Sequence, residues 1–307
     1  MGMHPTIQRV CPIHIEAHGD IKAPCVVLVL GLGMQVVEWP TGFIKKLSEQ
    51  FYVVCIENRD MGRSGRCGPD MEPELARFLV DKPRSDDAKI PYTLFDMRDD
   101  VLRAVDRLGV EKFAIVGFSM GGMIAQLVAA QPGQRVTAFA QICSSGGEAS
   151  APFSPDAYAR LLAVTQVGNS KAELIEMLAR DLIWFLAPSR LSKDEAKDLA
   201  AMMLETGFTP GGYARQLLAI QCSGDRSDDL RSIQAPAIII GARQDRCLSL
   251  DGSNRAFELI PHAEFKVFDG MGHSLEPAAL DYLTSWLCNV ATAVAQKDNR
   301  RTDHGMA

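Results

Sequence analysis

The sequence predicts a doubly wound α/β fold, a mostly parallel sheet with a helical cap inserted after the sixth strand. Three observations carry this. Short apolar runs recur along the chain, continuous rather than alternating, as strands covered on both faces require. Helical stripes lie between them, and strand–helix alternation argues for a parallel sheet. The alternation then stops between about 144 and 232, where no good strand is found and helical patterns follow one another.

The apolar runs are Cys25–Leu30, Tyr52–Ile56, Phe113–Val116, Val136–Cys143 and Ala237–Ile240, with Phe265–Phe268 as a more exposed candidate. The opening segment differs: Ile7, Val10, Ile13 and Ile15 are interleaved with polar residues, as in an edge hairpin. Val101, Leu102, Val105 and Leu108 form a helical stripe that ends at Gly109, a residue suited to a C-terminal cap. A second stripe is Leu280, Leu283, Trp286, Leu287 and Val290. Cap helices are expected around Ala157–Val167, Lys171–Leu186, Lys193–Leu204 and Tyr213–Ile220, separated by breaks rich in Gly, Ser and Pro. Residues 1–145 and 233–296 therefore read as the core and 146–232 as the cap. Residues 297–307 are polar and read as a frayed tail.

Composition excludes several classes. The chain has 307 residues, 47% of them hydrophobic and 23% charged, with a formal net charge of −6. These are ordinary values for a globular chain, not a disordered, collagenous or coiled-coil one. The mild acidity makes no case for nucleic acid or an anionic membrane. The longest uncharged stretch, Phe113 to Gln134, is broken by Gly117, Gly121 and Gly122, and reads as strand, turn and helix rather than a membrane span. Eight cysteines include no C-x-x-C, so a four-ligand zinc site is not expected, and no residue is read as a metal ligand. They read as small buried hydrophobes in a reducing cytoplasm. Met1-Gly2 with Thr6 fits only a loose myristoylation pattern, with no polybasic partner.

The chemistry lies in Gly117-Phe118-Ser119-Met120-Gly121, a G-x-S-x-G with a buried strand before it and an apolar helix after it. So sharp a turn leaves no room for side chains two positions either side of the serine. Ser119 then stands at a helix N-terminus, where backbone N–H groups favour developing negative charge. A serine needs a base. Of six histidines, His273 lies in a glycine-rich loop after the last strand, and the others lie in terminal, hairpin or turn segments. The imidazole needs an orienting carboxylate. Asp245 stands just beyond a buried strand and gives the chain order Ser119, Asp245, His273, while Asp269 is a second candidate close to the histidine. Two oxyanion donors are expected: the Met120 N–H and one from the loop Gly31-Leu32-Gly33-Met34-Gln35.

Leu30-Gly31-Leu32-Gly33 through Trp39-Pro40, Asn58 through Ser64, Gly117 through Gly122, Asp245 and Gly272-His273 resemble the α/β-hydrolase superfamily. Within it the chain is similar to the aclacinomycin methylesterase-like group of capped esterases. The resemblance spans about residues 25–275. It implies that Leu32, after the loop glycine Gly31, gives the second oxyanion N–H. It also implies that the Arg59–Ser64 turn is structural. Many relatives carry histidine where this chain has Leu30, a change that leaves the backbone donor in place. Residues 66–91, with Asp70, Glu72, Glu74 and Asp81, are longer than the family pattern.

The expected reaction is hydrolysis of a small-molecule carboxylic ester, such as a methyl or lipid-like ester, through an acyl-enzyme, without metal or organic cofactor. A serine at the elbow argues against the chemistries that use a carboxylate nucleophile. Lactone, thioester or C–C bond hydrolysis and cofactor-free haloperoxidation use the same three groups. A ligand-binding protein with a vestigial triad is the reading without catalysis. Met34, Trp39, Trp184, Phe185, Met202 and Tyr213 are the candidate substrate contacts; residues at such helical spacing are more often cap core.

Overall fold

In the computed structural model, residues 10–69, 79, 90–148, 153–165 and 170–304 are described, with side chains to residue 296. The N-terminal myristoylation pattern and most of the acidic 66–91 segment lie outside them.

Among the described residues seven strands form one sheet: β1 Ile15–His18, β2 Cys25–Val29, β3 Tyr52–Ile56, β4 Phe113–Phe118, β5 Val136–Ile142, β6 Ala237–Ala242 and β7 Glu264–Phe268. Their spatial order is β1-β3-β2-β4-β5-β6-β7. Every neighbouring pair is parallel except β1 with β3, where Ile15 sits opposite Ile56. The expected opening hairpin contributes one described strand, with Ile7 outside the described residues, so the inserted helices follow the fifth described strand. Its partner is β3, which lies later in the chain.

Residues of β2, β3, β4 and β6 are all buried. Their side chains nonetheless alternate between two cores, as a period of two demands. Val27, Val29, Val54, Ile115 and Ile239 enter one, with Met97, Val101, Ile124, Leu127 and Leu259. Val26, Leu28, Val53, Val116 and Ile238 enter the other, with Phe43, Leu47, Leu280, Leu283 and Leu287. A sheet covered on both faces is what the continuous apolar runs require.

The first core is covered by helices α1 Leu94–Arg107, α2 Met120–Ala129 and α3 Leu250–Leu259, and the second by α4 Thr41–Ser48 and α5 Pro277–His304. The last helix runs on to His304, where the polar composition predicts a frayed tail. Between β5 and β6 the described elements are all helical: α6 Pro155–Val164, α7 Lys171–Leu186, α8 Lys193–Thr206, α9 Pro210–Cys222 and α10 Ser227–Ser232. They carry a third apolar cluster that includes Leu161, Leu178, Met203, Tyr213 and Leu217.

One buried ion pair ties this layer to the core. Arg215 on α9 donates from Nε to Asp60 Oδ2 at 2.9 Å and from Nη2 to Asp60 Oδ1 at 2.8 Å. Both side chains are fully buried.

Candidate active site

The sheet order puts β2 beside β4. From β2 the chain goes to β3 on one side, and from β4 to β5 on the other. The crevice at the carboxyl ends of such a strand pair is where open α/β sheets bind ligands. Both predicted loops, 30–35 and 117–121, lie there.

Ser119 links β4 directly to α2 and takes φ 55°, ψ −121°, a conformation rare for a residue with a side chain. The neighbouring glycines make room for it. A Cβ at Gly117 would stand 2.2 Å from the Gly121 carbonyl oxygen, and one at Gly121 would stand 2.1 Å from that of Val29. The backbone is held by Ser119 N–H donating to Ile142 O at 2.9 Å and by the Ser144 hydroxyl donating to Ser119 O at 2.8 Å.

His273 and Asp245 meet Ser119 in one chain of contacts. His273 Nε2 lies 2.9 Å from Ser119 Oγ, and His273 Nδ1 lies 2.8 Å from Asp245 Oδ2. The carboxylate can only accept, so Nδ1 carries the proton and Nε2 is left to accept from the serine hydroxyl. Asp245 Oδ1 accepts two backbone N–H groups, from Cys247 at 2.8 Å and Leu248 at 2.9 Å. Its side chain is 1% exposed and that of His273 is 10% exposed. The other candidate acid points away: Asp269 is largely exposed and pairs with Arg243. The histidine loop is also tied to the helical layer, because the His273 N–H donates to Phe185 O at 2.9 Å.

Cys143, Asp245 and His273 offer donor atoms within 4.8 Å of one another. They make a poor metal site. Both Asp245 oxygens already accept N–H groups, and burial with the nearby Asp245 charge pushes the Cys143 thiol well up, away from the thiolate a metal needs.

The loop after β2 turns back on itself. Met34 N–H donates to Gly31 O at 3.2 Å, with Gly33 at φ 72°. A Cβ on Gly31 would stand 3.1 Å from Ser119 Cβ, so this backbone runs against the serine. The Gly33 N–H is committed to Gln216 Oε1 at 2.8 Å, which fixes the loop to α9. Met120, the first residue of α2, has one of the first-turn N–H groups that no helical carbonyl can reach.

Above these groups lies a cavity of about 520 Å³, with Ser119 and His273 in its wall. Of the candidate substrate contacts, Met34, Trp39, Phe185 and Tyr213 line it, and so does Leu32. Trp184 and Met202 do not, although the residue after each does. Phe185 and Met203 face the cavity, since adjacent helical residues point about 100° apart. Trp184 instead carries the guanidinium of Arg160 over its ring at 4.6 Å. The wall also holds the polar residues Glu38, Thr41, Asp181, Ser189, Ser274 and Glu276, none of them among the candidate contacts. Burial pushes the Glu38 carboxyl up to about 8, against a backbone hydrogen bond from Gln35 and with help from the Glu57 charge. Single charged residues ordinarily read as solvated, so no sequence signal marked Glu38, Asp181 or Glu276.

Among the described residues no helix is long and apolar enough to cross a membrane. The chain is 23% identical over 290 residues to RutD of Caulobacter sp. (strain K31), covering 92% of this chain and 97% of that one. It is 23% identical over 297 residues to the rhodomycin D methylesterase DnrP of Streptomyces peucetius, covering 89% and 92%. A solved carboxylesterase structure from Nitrososphaera gargenis superposes with a TM-score of 0.71 at 21% identity, over 92% of this chain and 96% of that one, a likeness of fold. The family model for the alpha/beta hydrolase fold matches residues 24–275, and with the sheet order and the elbow at Ser119 this makes the chain a member of the α/β-hydrolase family.

Proposed function

We propose that the chain is a serine hydrolase that cleaves a small-molecule carboxylic ester. The observation that carries this is the unbroken series Asp245–His273–Ser119, with contacts of 2.8 and 2.9 Å, opening on an apolar cavity. Ser119 Oγ attacks the ester carbonyl carbon while His273 Nε2 takes its proton. Asp245 holds the imidazole and balances the imidazolium that forms. The oxyanion is held by the N–H groups of Met120 and Leu32. The imidazolium gives its proton to the leaving alkoxide, which departs as the alcohol. Water, deprotonated by His273, then cleaves the acyl-enzyme and frees the acid and Ser119.

On this reading residues 146–232 act as a cap whose inner wall selects the substrate, and 1–145 with 233–296 supply the chemistry. No cofactor enters the cycle. No disulfide joins the cysteines among the described residues, which suits a reducing cytoplasm.

Hydrolysis of short p-nitrophenyl esters, lost in Ser119→Ala while the melting temperature is kept, is the expected result. Absence of both turnover and labelling by a fluorophosphonate probe would refute the reading. A panel of esters, lactones and thioesters separates the reactions that share these three groups.

A further inference from the structure

The cavity wall next to α6 and α7 is built from Leu161, Val164, Leu178, Leu182 and Phe185, and Asp181 interrupts it. Its residue is 4% exposed. Oδ1 accepts from Arg160 Nη1 at 2.6 Å and stands 3.6 Å from Arg180 Nε. Oδ2 is buried and has no hydrogen-bond partner. A carboxylate oxygen so placed is costly to leave unpaired, and the Arg160 contact uses only the other oxygen.

We propose that Asp181 is a substrate-docking residue whose unpartnered oxygen accepts a hydrogen bond from a hydroxyl group of the ester, so that the preferred substrates are hydroxylated rather than plain hydrocarbon esters. The proposal rests on reading Ser119 as the nucleophile. The occupant is a neutral donor because the charge is already balanced. Arg160 and Arg180 both address Asp181, and Arg246 joins Arg160 over the Trp184 ring at 5.7 Å. An ammonium group would enter next to several guanidinium groups and one carboxylate. A hydroxyl needs only the free lone pair. A site built this way rejects the analogue that lacks the donor, since the acceptor is then left unsatisfied.

The test compares esters graded in length, each ending in a hydroxyl, a methoxy, a methyl or an ammonium group, placed in one series on the acyl side and in another on the alcohol side. Release is followed by p-nitrophenol or by pH-stat. At the matching length the wild type should prefer the hydroxyl to the methyl ester by on the order of 10- to 100-fold in kcat/KM. In Asp181→Asn the amide donates where the oxygen accepted, so preference should move from hydroxyl to methoxy. Folding of that variant is checked by its melting temperature, and the wild-type comparison stands without it. Equal turnover of all four at every length overturns the subsite alone, and a preference for ammonium overturns the choice of hydroxyl. Failure to cleave any of them, together with absent fluorophosphonate labelling, overturns the esterase reading as well.

Discussion

Asp245→Asn should abolish most activity without disturbing the fold, and the structure says why. The substitution keeps the size of the side chain but makes one of its two terminal atoms a donor. Which atom faces His273 is decided behind the site. The position now held by Oδ1 receives N–H groups from Cys247 at 2.8 Å and Leu248 at 2.9 Å. Turning an NH2 group toward them would leave buried donors unsatisfied, at about 1–3 kcal/mol each. The amide oxygen therefore stays there and the NH2 group faces His273 Nδ1. That nitrogen must now accept, so the ring proton moves to Nε2 and points at Ser119. The base is in the wrong tautomer, not displaced. Loss of a correctly protonated base in this arrangement costs about 10⁴-fold in rate, equivalent to about 5.4 kcal/mol in the barrier. The assay is kcat/KM on a short p-nitrophenyl ester near neutral pH, with the melting temperature followed in parallel. Asp269→Asn is the comparator and should act like wild type, since Asp269 is largely exposed and paired with Arg243. A loss under about tenfold in Asp245→Asn, or a larger loss in Asp269→Asn, would refute the argument.

Two further outcomes follow from the buried charges. Arg215→Met leaves the Asp60 carboxylate buried without its bidentate partner, which should cost about 3–5 kcal/mol and lower the melting temperature by about 5–8 °C, while Asp60→Leu added to Arg215→Met should recover part of it; calorimetry or thermal circular dichroism reads this, and an unchanged melting temperature in the single variant rules it out. Glu38 holds its proton in the fold up to about pH 8 because burial disfavours its charge, whereas in the unfolded chain it ionises near the ordinary carboxylate value. The folded state binds more protons between those values, so this group lowers stability as pH rises from about 4.5 to 8 and adds no further slope above. Glu38→Gln, which keeps an oxygen for the Gln35 N–H at 2.7 Å, should therefore raise the melting temperature more at pH 9 than at pH 5; an equal effect at both would show that Glu38 is ionised in the fold.

What could be read from the sequence is what local sterics and burial enforce within a few residues. A strand buried on both faces has no polar position to spend, so β2, β3, β4 and β6 stand out as unbroken apolar runs. The elbow is legible for a similar reason: the Val29 carbonyl, 2.1 Å from where a Gly121 Cβ would be, admits only glycine. His273 and Asp245 follow from chain order and loop position. Strand pairing is different. β1 finds its partner in β3 across the intervening β2, and nothing within Ile15–His18 records that.

The cavity marks the same boundary more finely. Periodicity shows that one side of α7 and α8 is apolar, but not how each helix is rotated about its axis. That rotation is set by contacts from elsewhere: Arg160, far back on α6, takes both the Trp184 ring and the Asp181 carboxylate. With Trp184 held there, Phe185 turns inward, and Asp181, one turn earlier on the same side of the helix, comes to the cavity with it. A single long-range pairing thus goes with Phe185 rather than Trp184 facing the cavity, and with a carboxylate in its wall. Sequence spacing places Asp181 and Phe185 on one helical face, and the Arg160 contact is what marks that face as the one turned to the cavity.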